Sequence, residues 1–456
     1  MKSRFEFIEA KWKSIKENGF IRSISVLVGG TAFAQLITVV SLPLLTRLYQ
    51  PEDFSLLAVY TAALGIIAVV SCIRLDIAIP LPENDQDAAS LLVLSLLSSA
   101  FISSGLCFAV LLWSSELSSL LRQPALEPYL WLLPMGVWLA SSYSAVQFWT
   151  IRKKQFSLVA RTRMVQALAG SGTQLGAGIA SMGPGGLLFG QFILSGAGAF
   201  GLARTILKKD ICFLRAVNLR SMRTQLLAYN RFPKYSMPEA FANTAAIHLP
   251  MIIIAGLALG PEAGYLFLAM RIMSAPMSLI GGAVAQVYLS HAPDRYRDGE
   301  LGHFTSEIFG GLLKIGVGPL IFVGILSPVL FPIVFGSEWQ RAGDLVAWMV
   351  PWMVLQFIAS PISMSMHVRG WQKGMLTLTV FGLALRVGLI FLAVILNENY
   401  VSEFYIASGA IFYSVCCFVF LVSAKVKFNA FCVKISESLI YIGLWVVFAI
   451  MLVALI

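Results

Sequence analysis

The sequence predicts an all-α integral membrane protein, a bundle of about a dozen transmembrane helices arranged in two halves. Three observations carry this: an apolar composition, apolar runs at membrane-spanning length, and a one-sided distribution of Lys and Arg. The chain is 58% hydrophobic and 12% charged, with mean hydropathy +0.81. A soluble domain carries about a quarter charged residues and just under half apolar ones. A chain this apolar cannot cover its own surface with polar groups in water, so lipid is the expected solvent. Its 456 residues are better divided into spans of ~20 residues with short connectors than into soluble domains.

Taken in order, the N-terminal stretch 1–23 is too polar for a secretory signal, and the apolar run behind it is too long for a signal core. Phe5, Ile8, Trp12 and Ile15 recur at helical spacing among Lys2, Arg4, Lys11, Lys13 and Lys16, the pattern of a short helix lying on the membrane surface. Six apolar runs follow at 24–46, 54–73, 89–113, 129–151, 164–182 and 185–207, making a first lobe over 24–207. A basic connector, 208–236, leads to a second lobe over 237–424, with runs at 237–259, 264–290, 306–335, 343–366, 375–396 and 404–424. A thirteenth run, 439–456, ends a C-terminal segment 425–456. Alternating apolar ten-mers, the mark of a transmembrane barrel, are absent from the sequence. Pro134, Pro250, Pro276, Pro319 and Pro351 fall inside runs and are expected to bend their helices.

Lys and Arg fix the expected orientation. With residues before 24 on the cytoplasmic side, nearly all of the 33 basic residues fall in inner connectors. The outer connectors hold only Arg47, Arg122 and Arg341. This bias places the N-terminus in the cytoplasm. It also accounts for the net charge of +10 without nucleic acid, because anionic inner-leaflet lipids meet the basic connectors.

Catalytic and metal chemistry find no motif. Cys72, Cys107, Cys212, Cys416, Cys417 and Cys432 have no ligand-like spacing and read as small hydrophobes. Gly196, Gly198 and Gly201 fit a dinucleotide-loop pattern formally, but they lie in an apolar helix with no strand before them. Gly172 with Gly176, and Gly186 with Gly190, read as close helix packing. No phosphate-binding loop appears, so ATP is not the direct energy source. No cofactor is expected beyond H+ or Na+ as a coupling ion, and the chain does not read as an enzyme.

An internal repeat organises the rest. Pro51-Glu52-Asp53-Phe54-Ser55-Leu56-Leu57-Ala58 follows the first run, and Pro261-Glu262-Ala263-Gly264-Tyr265-Leu266-Phe267-Leu268 follows the seventh. Tyr129–Met135 pairs with 346–352 and Ile151–Gln155 with 368–373 at nearly the same offset. Two parallel six-helix repeats, each starting inside, form the expected plan.

The opening Gly29-Gly30-Thr31-Ala32-Phe33-Ala34-Gln35, then Leu42-Pro43-Leu44-Leu45-Thr46-Arg47-Leu48-Tyr49 and Pro51-Glu52-Asp53-Phe54, resemble known motifs. The next connector, Arg74-Leu75-Asp76-Ile77-Ala78-Ile79-Pro80-Leu81-Pro82, is followed by acidic Glu83, Asp85 and Asp87. Together they resemble the bacterial polysaccharide-biosynthesis flippases of the multidrug/oligosaccharidyl-lipid/polysaccharide (MOP) exporter superfamily. That family carries Gly after its Pro-Glu-x pair; here the first copy has Phe54-Ser55 and the second Gly264. The resemblance implies two six-helix lobes in a V-shaped transporter of about 12–14 helices in the bacterial inner membrane. Its cargo would be an undecaprenyl-pyrophosphate-linked oligosaccharide for O-antigen, capsule or exopolysaccharide assembly, handled beside other assembly proteins and membrane lipids.

Charges inside the runs point to the same chemistry. A charged side chain at bilayer depth costs about 2.5–3.5 kcal/mol on insertion scales and is retained for a reason. Arg386 lies mid-run, Arg271 about two turns into the eighth run, Lys314 similarly placed in the ninth, and Arg47 at the end of the first. These four are the candidates for a cationic cavity that takes the pyrophosphate. Arg47 and Lys314 can alternatively snorkel to head groups; Arg386 is too deep. Glu239, Asp76 and Arg74 are the candidates for ion coupling or gating, with an Arg74–Asp76 pair fixing the connector as the structural alternative. Two other functions stay open: a multidrug-type cation-coupled antiporter, which would favour embedded carboxylates, and a membrane-embedded glycan polymerase, which would need a large outer loop.

Overall fold

A computed structural model describes residues 19–257, 261–369 and 371–455. The expected surface helix over Phe5, Ile8, Trp12 and Ile15 lies outside them. The described chain is helical throughout, with no strand among the described residues. Among the described residues, each of the thirteen apolar runs lies largely on helix. The first two are Gly19–Leu48 and Pro51–Ser71, and the last is Phe428–Leu455. Ten helices among the described residues are long and apolar enough to cross a membrane. The three other runs lie on Leu132–Arg152, on Phe156–Ile179, and on Glu262–Pro276 with Gly282–Arg297. The last two of these carry Arg161, Arg163, Glu262 and Arg271, which lower their apolarity.

Of the prolines expected to bend helices, Pro276 stands at a break, while Pro250 and Pro351 lie inside continuous helices. Pro276 ends one helix and a π-helical turn, Met277–Gly281, follows. A second π turn, Leu313–Val317, contains Lys314. Such turns widen the backbone ladder by one residue and recur at functional positions. Pro319 follows the second π turn directly, in the first turn of Gly318–Phe335.

Contacts divide the chain into two compact units. The first runs to Ser41 and resumes at Leu64–Leu117 and Glu127–Phe241. The second holds Leu42–Ala63, Ser118–Leu126 and the chain from Ala242.

In the first unit, Phe156–Ile179 packs on Pro184–Gly196 through glycine. A Cβ on Gly190 would lie 2.2 Å from Gln174 Cγ and 2.8 Å from the Gly170 carbonyl oxygen. The expected packing glycines Gly172 and Gly176 instead face open space, with nothing within 4 Å of a Cβ. The contact face of that helix runs through Gly170 and Gln174, so the GxxxG spacing misassigned it by half a turn. At the end of this unit that carries the basic connectors, Arg152 and Lys153 hold Asp85 at 2.9 and 2.5 Å. Trp149 Nε1 donates to Asp210 at 3.0 Å, and Gln225 Nε2 to Asp87 at 2.7 Å. Asp85 and Asp87, after the Pro80–Pro82 stretch, are thereby used in structural pairs.

In the second unit the two copies of the repeat motif meet. A Cβ on Gly264 would lie 2.1 Å from the Pro51 carbonyl oxygen and 3.0 Å from Ser55 N, and Gly264 N–H donates to Ser55 Oγ at 2.8 Å. The glycine at the second copy and the serine at the first are thus two sides of one contact.

Trp339 seals its edge. It is wholly buried, donates from Nε1 to the Thr46 carbonyl at 3.1 Å, and sets its ring edge-on to Phe54 at 4.8 Å. Gly336, at φ 110°, makes the turn that aims it, a backbone conformation that favours glycine.

Candidate functional site

Arg386 sits in the helix Gln372–Leu396, about 15 Å from its nearer end at 1.5 Å per residue. It is 4% exposed. Its guanidinium donates to the Ala246 carbonyl at 3.0 Å and lies 4.9 Å from the Phe412 ring centroid. Its Nε is buried without a partner, and no carboxylate pairs with it among the described residues. The face of Phe412 attracts the cation through its quadrupole, and one carbonyl accepts one N–H. Neither cancels the charge, and an uncompensated buried charge is costly.

The reason for keeping it is visible beside it. A cavity of about 430 Å³ in the second unit is lined by Arg386, Ile247, Met270, Trp352, Tyr405 and Tyr413, among others. The π turn Met277–Gly281 contributes Met277 and Gly281 to its wall. Trp352 and Tyr405 cross edge-on at 5.3 Å, a rigid aromatic pair. A smaller cavity of about 140 Å³, with Asn243, Thr379 and Phe420 in its lining, also borders Arg386. The surroundings combine one fixed positive charge, phenol hydroxyls and apolar walls. That arrangement can hold an anion while presenting little else that is charged.

The other expected site residues fall elsewhere. Arg271 lies half-buried in Glu262–Pro276, 5.8 Å from the Phe267 ring, with no ion pair among the described residues. It stands one residue after cavity-lining Met270 but does not itself line the cavity. Lys314 is neutralised: its Nζ lies 2.7 Å from Glu437 Oε2. Lys434 joins the same network through Glu307 at 2.9 Å and Glu437 at 3.8 Å, tying the last helix to its neighbour. Arg47 is exposed and donates to the Ile333 carbonyl at 3.0 Å.

Arg47 shares this use with both other expected outer arginines. Arg122 donates to the Gly256 carbonyl at 3.3 Å, and Arg341 pairs with Glu262 at 2.8 Å and Glu403 at 2.7 Å. All three act as cross-links within the second unit.

Glu239 is exposed in the first turn of Met237–Leu257, without an ion pair among the described residues. Asp76 is 5% exposed and accepts from Ser144 Oγ at 2.6 Å, while its Oδ1 has no partner. The expected Arg74–Asp76 ion pair does not form. Ile73 and Arg74 both adopt left-handed backbone, φ 44° and 59°, and the 3-10 turn Asp76–Ala78 gives Asp76 to Ser144 instead.

Glu437, Trp339, Tyr405 and Tyr413 were not singled out by the sequence reading. Glu437 had a signal: with Lys434 it forms an i, i+3 pair at the edge of the last apolar run. The tyrosines had none, because aromatic residues in an apolar helix are ordinary core.

The comparisons with known proteins agree with this architecture. A family model described as "Polysaccharide biosynthesis protein" matches residues 44–344. No curated protein matches the chain in sequence. Among solved structures, the lipid II flippase MurJ in an inward closed conformation is similar at TM-score 0.72 and 13% identity, over 93% of this chain and 96% of that one. A multidrug resistance MATE family transporter of the MOP superfamily, inward-facing, is similar at 0.66 and 16% identity, over 87% and 95%. A MOP superfamily transporter from Pyrococcus furiosus, reported to have a binding pocket of reversed polarity, is similar at 0.52 and 15% identity, over 89% and 95%. At these identities the likeness establishes fold, a multi-pass membrane bundle shared with transporters. The family match covers well over half of the chain, so the chain belongs to the polysaccharide biosynthesis protein family.

Proposed function

We propose that this protein is a flippase, not an enzyme, that moves an undecaprenyl-pyrophosphate-linked oligosaccharide across the bacterial inner membrane by alternating access of two six-helix lobes. The observation that carries the reading is Arg386: a buried cation, without a carboxylate partner among the described residues, on the wall of a cavity. In a low-dielectric site an anionic head group supplies the missing counter-charge, and its charge-assisted hydrogen bonds are stronger than neutral ones. Family membership supports a role in polysaccharide assembly, and the flippase among similar folds supports a lipid-linked cargo.

Arg271, one residue beyond the cavity wall, is proposed as a second contact when the helix moves. Lys314 and Arg47 keep structural partners and are left out of the binding set. Coupling to H+ or Na+ is assigned to Glu239 and Asp76, carboxylates that make no ion pair among the described residues. A multidrug-type antiporter would place a carboxylate where this cavity has Arg386.

The test is deletion of the gene followed by extraction of polyprenyl-linked glycans from each leaflet. Complete repeat units stranded on the cytoplasmic side, with surface polysaccharide lost, are expected. Repeat units that reach the periplasm but fail to polymerise would replace the flippase with a polymerase. Unchanged glycans in a strain lacking any second flippase would point to small-molecule export.

A further inference from the structure

The first unit carries a second anion-ready feature that the transport reading does not use. A groove of about 430 Å³ runs between the helices Phe156–Ile179 and Gly198–Lys209. Its floor is apolar, with Leu158, Val165, Ala169, Ala197 and Gly201 in the lining. Arg161 and Arg204 also line it. Among the described residues neither arginine makes an ion pair or a hydrogen bond, and no carboxylate lines the groove.

A third polar group faces the same space. Gln166 lines the groove, is 5% exposed, and has a buried Nε2 donor with no acceptor. Its side chain is held there by Gly198, whose Cβ, if added, would lie 2.6 Å from Gln166 Cδ. A buried amide donor left unmade costs about 1–3 kcal/mol in a protein, so a site of this kind implies an acceptor.

The placement suits a lipid. Arg161 lies near the start of its helix and Arg204 near the end of its own, which brings both to the end of the unit where the basic connectors gather. The groove then continues past Val165 and Ala169 into the apolar length of the bundle. Val165, Leu168 and Phe200 are exposed around it at 55, 56 and 63%, as expected of a surface that faces acyl chains. A basic head with an apolar floor fits an anionic phospholipid: phosphate at the arginines, one acyl chain along the floor.

We propose that this groove is a binding site for an anionic phospholipid. The site is separate from the Arg386 cavity, so its failure and that of the flippase reading are distinguishable.

The test uses the full chain purified, delipidated and titrated with phosphatidylglycerol or phosphatidylcholine, with bound lipid read by native mass spectrometry. The native protein is expected to retain phosphatidylglycerol selectively. Each arginine near an anionic surface contributes about fivefold in affinity, so Arg161→Gln with Arg204→Gln should weaken retention about 25-fold. Gly201→Leu leaves both charges in place, and its Cβ meets nothing within 4 Å, so the variant folds and its longer side chain fills the groove. It too should lose the lipid.

Retention unchanged in Gly201→Leu but lost in the arginine variant would overturn the groove in favour of charge adsorption alone. Equal retention of phosphatidylcholine would overturn the anionic selectivity. Displacement of the lipid by millimolar inorganic phosphate or pyrophosphate would overturn the lipid assignment and make the site one for a free anion. Thermal unfolding of each variant separates lost binding from lost fold.

Discussion

Gly264→Ala tests the contact between the two repeat copies. The added methyl would lie 2.1 Å from the Pro51 carbonyl oxygen and 3.0 Å from Ser55 N. Both are backbone atoms, so no rotamer change relieves the overlap and one helix must move. Overpacking of this kind costs about 1–3 kcal/mol. The displacement also stretches the 2.8 Å bond from Gly264 N to Ser55 Oγ, although Gly264 N keeps the Pro261 carbonyl at 2.8 Å. At about 2 °C per kcal/mol, the lower end of the shift for larger domains, the midpoint of thermal unfolding should fall by about 2–6 °C. The assay is unfolding of the detergent-solubilised protein followed by tryptophan fluorescence.

The matched control is Gly176→Ala, where a Cβ meets nothing within 4 Å. There the change removes only the flexibility of a helix-interior glycine, worth about 0.5–1 kcal/mol in stability, and the midpoint should hold or rise. A Gly264→Ala protein as stable as the native one would refute the close approach and the account of why the second copy carries glycine.

Further outcomes follow from the same contacts. Trp339→Ala should cost about 3–5 kcal/mol, the usual price of truncating a buried aromatic, and calorimetry of the purified protein should show a clearly lowered transition. Arg386→Met should leave stability unchanged or raised, because it removes a buried charge without a carboxylate partner, while abolishing export in a complementation assay; a large fall in thermal midpoint would make Arg386 structural. Lys314→Glu with Glu437→Lys should restore only part of what either single change loses, measured as a double-mutant cycle, because the swap sets a like charge beside Lys434. The pair is partly exposed, at 33 and 41%, so the coupling should stay within about 1 kcal/mol. Ser144→Ala leaves a buried Asp76 oxygen without its donor, a loss of about 1–3 kcal/mol, so the thermal midpoint of the purified protein should fall.

Much of the fold was legible because the membrane enforces it. Backbone polar groups in lipid must be satisfied within the segment, so apolar runs become helices, and the runs at 54–73 and 404–424 emerged as Pro51–Ser71 and Val401–Ser423. Arg386 was legible for the same reason: a charge deep in an apolar run has few acceptable environments. Partnerships were not legible. Lys314 read from the sequence as either a cavity cation or a snorkelling one, but Glu437 reaches it from a helix that follows more than a hundred residues later. Arg74 and Asp76 are two residues apart, yet Ile73 and Arg74 take left-handed backbone and Asp76 accepts from Ser144 instead. The GxxxG spacing at Gly172 and Gly176 gave the right helix pair but the wrong face, since crossing geometry depends on both helices. The repeat showed that Pro51–Ala58 and Pro261–Leu268 correspond; that they touch depends on Gly264 and Ser55 meeting in three dimensions.

The central claim is that Arg386 recognises the anionic head of a lipid-linked cargo. The most direct measurement reconstitutes the protein in liposomes with a fluorescent polyprenyl-pyrophosphate oligosaccharide and follows the label's transfer between leaflets. Native protein should accelerate transfer well above empty liposomes, Arg386→Lys should retain part of that rate, and Arg386→Met should fall to the protein-free level. Transfer by Arg386→Met at the native rate would contradict the account.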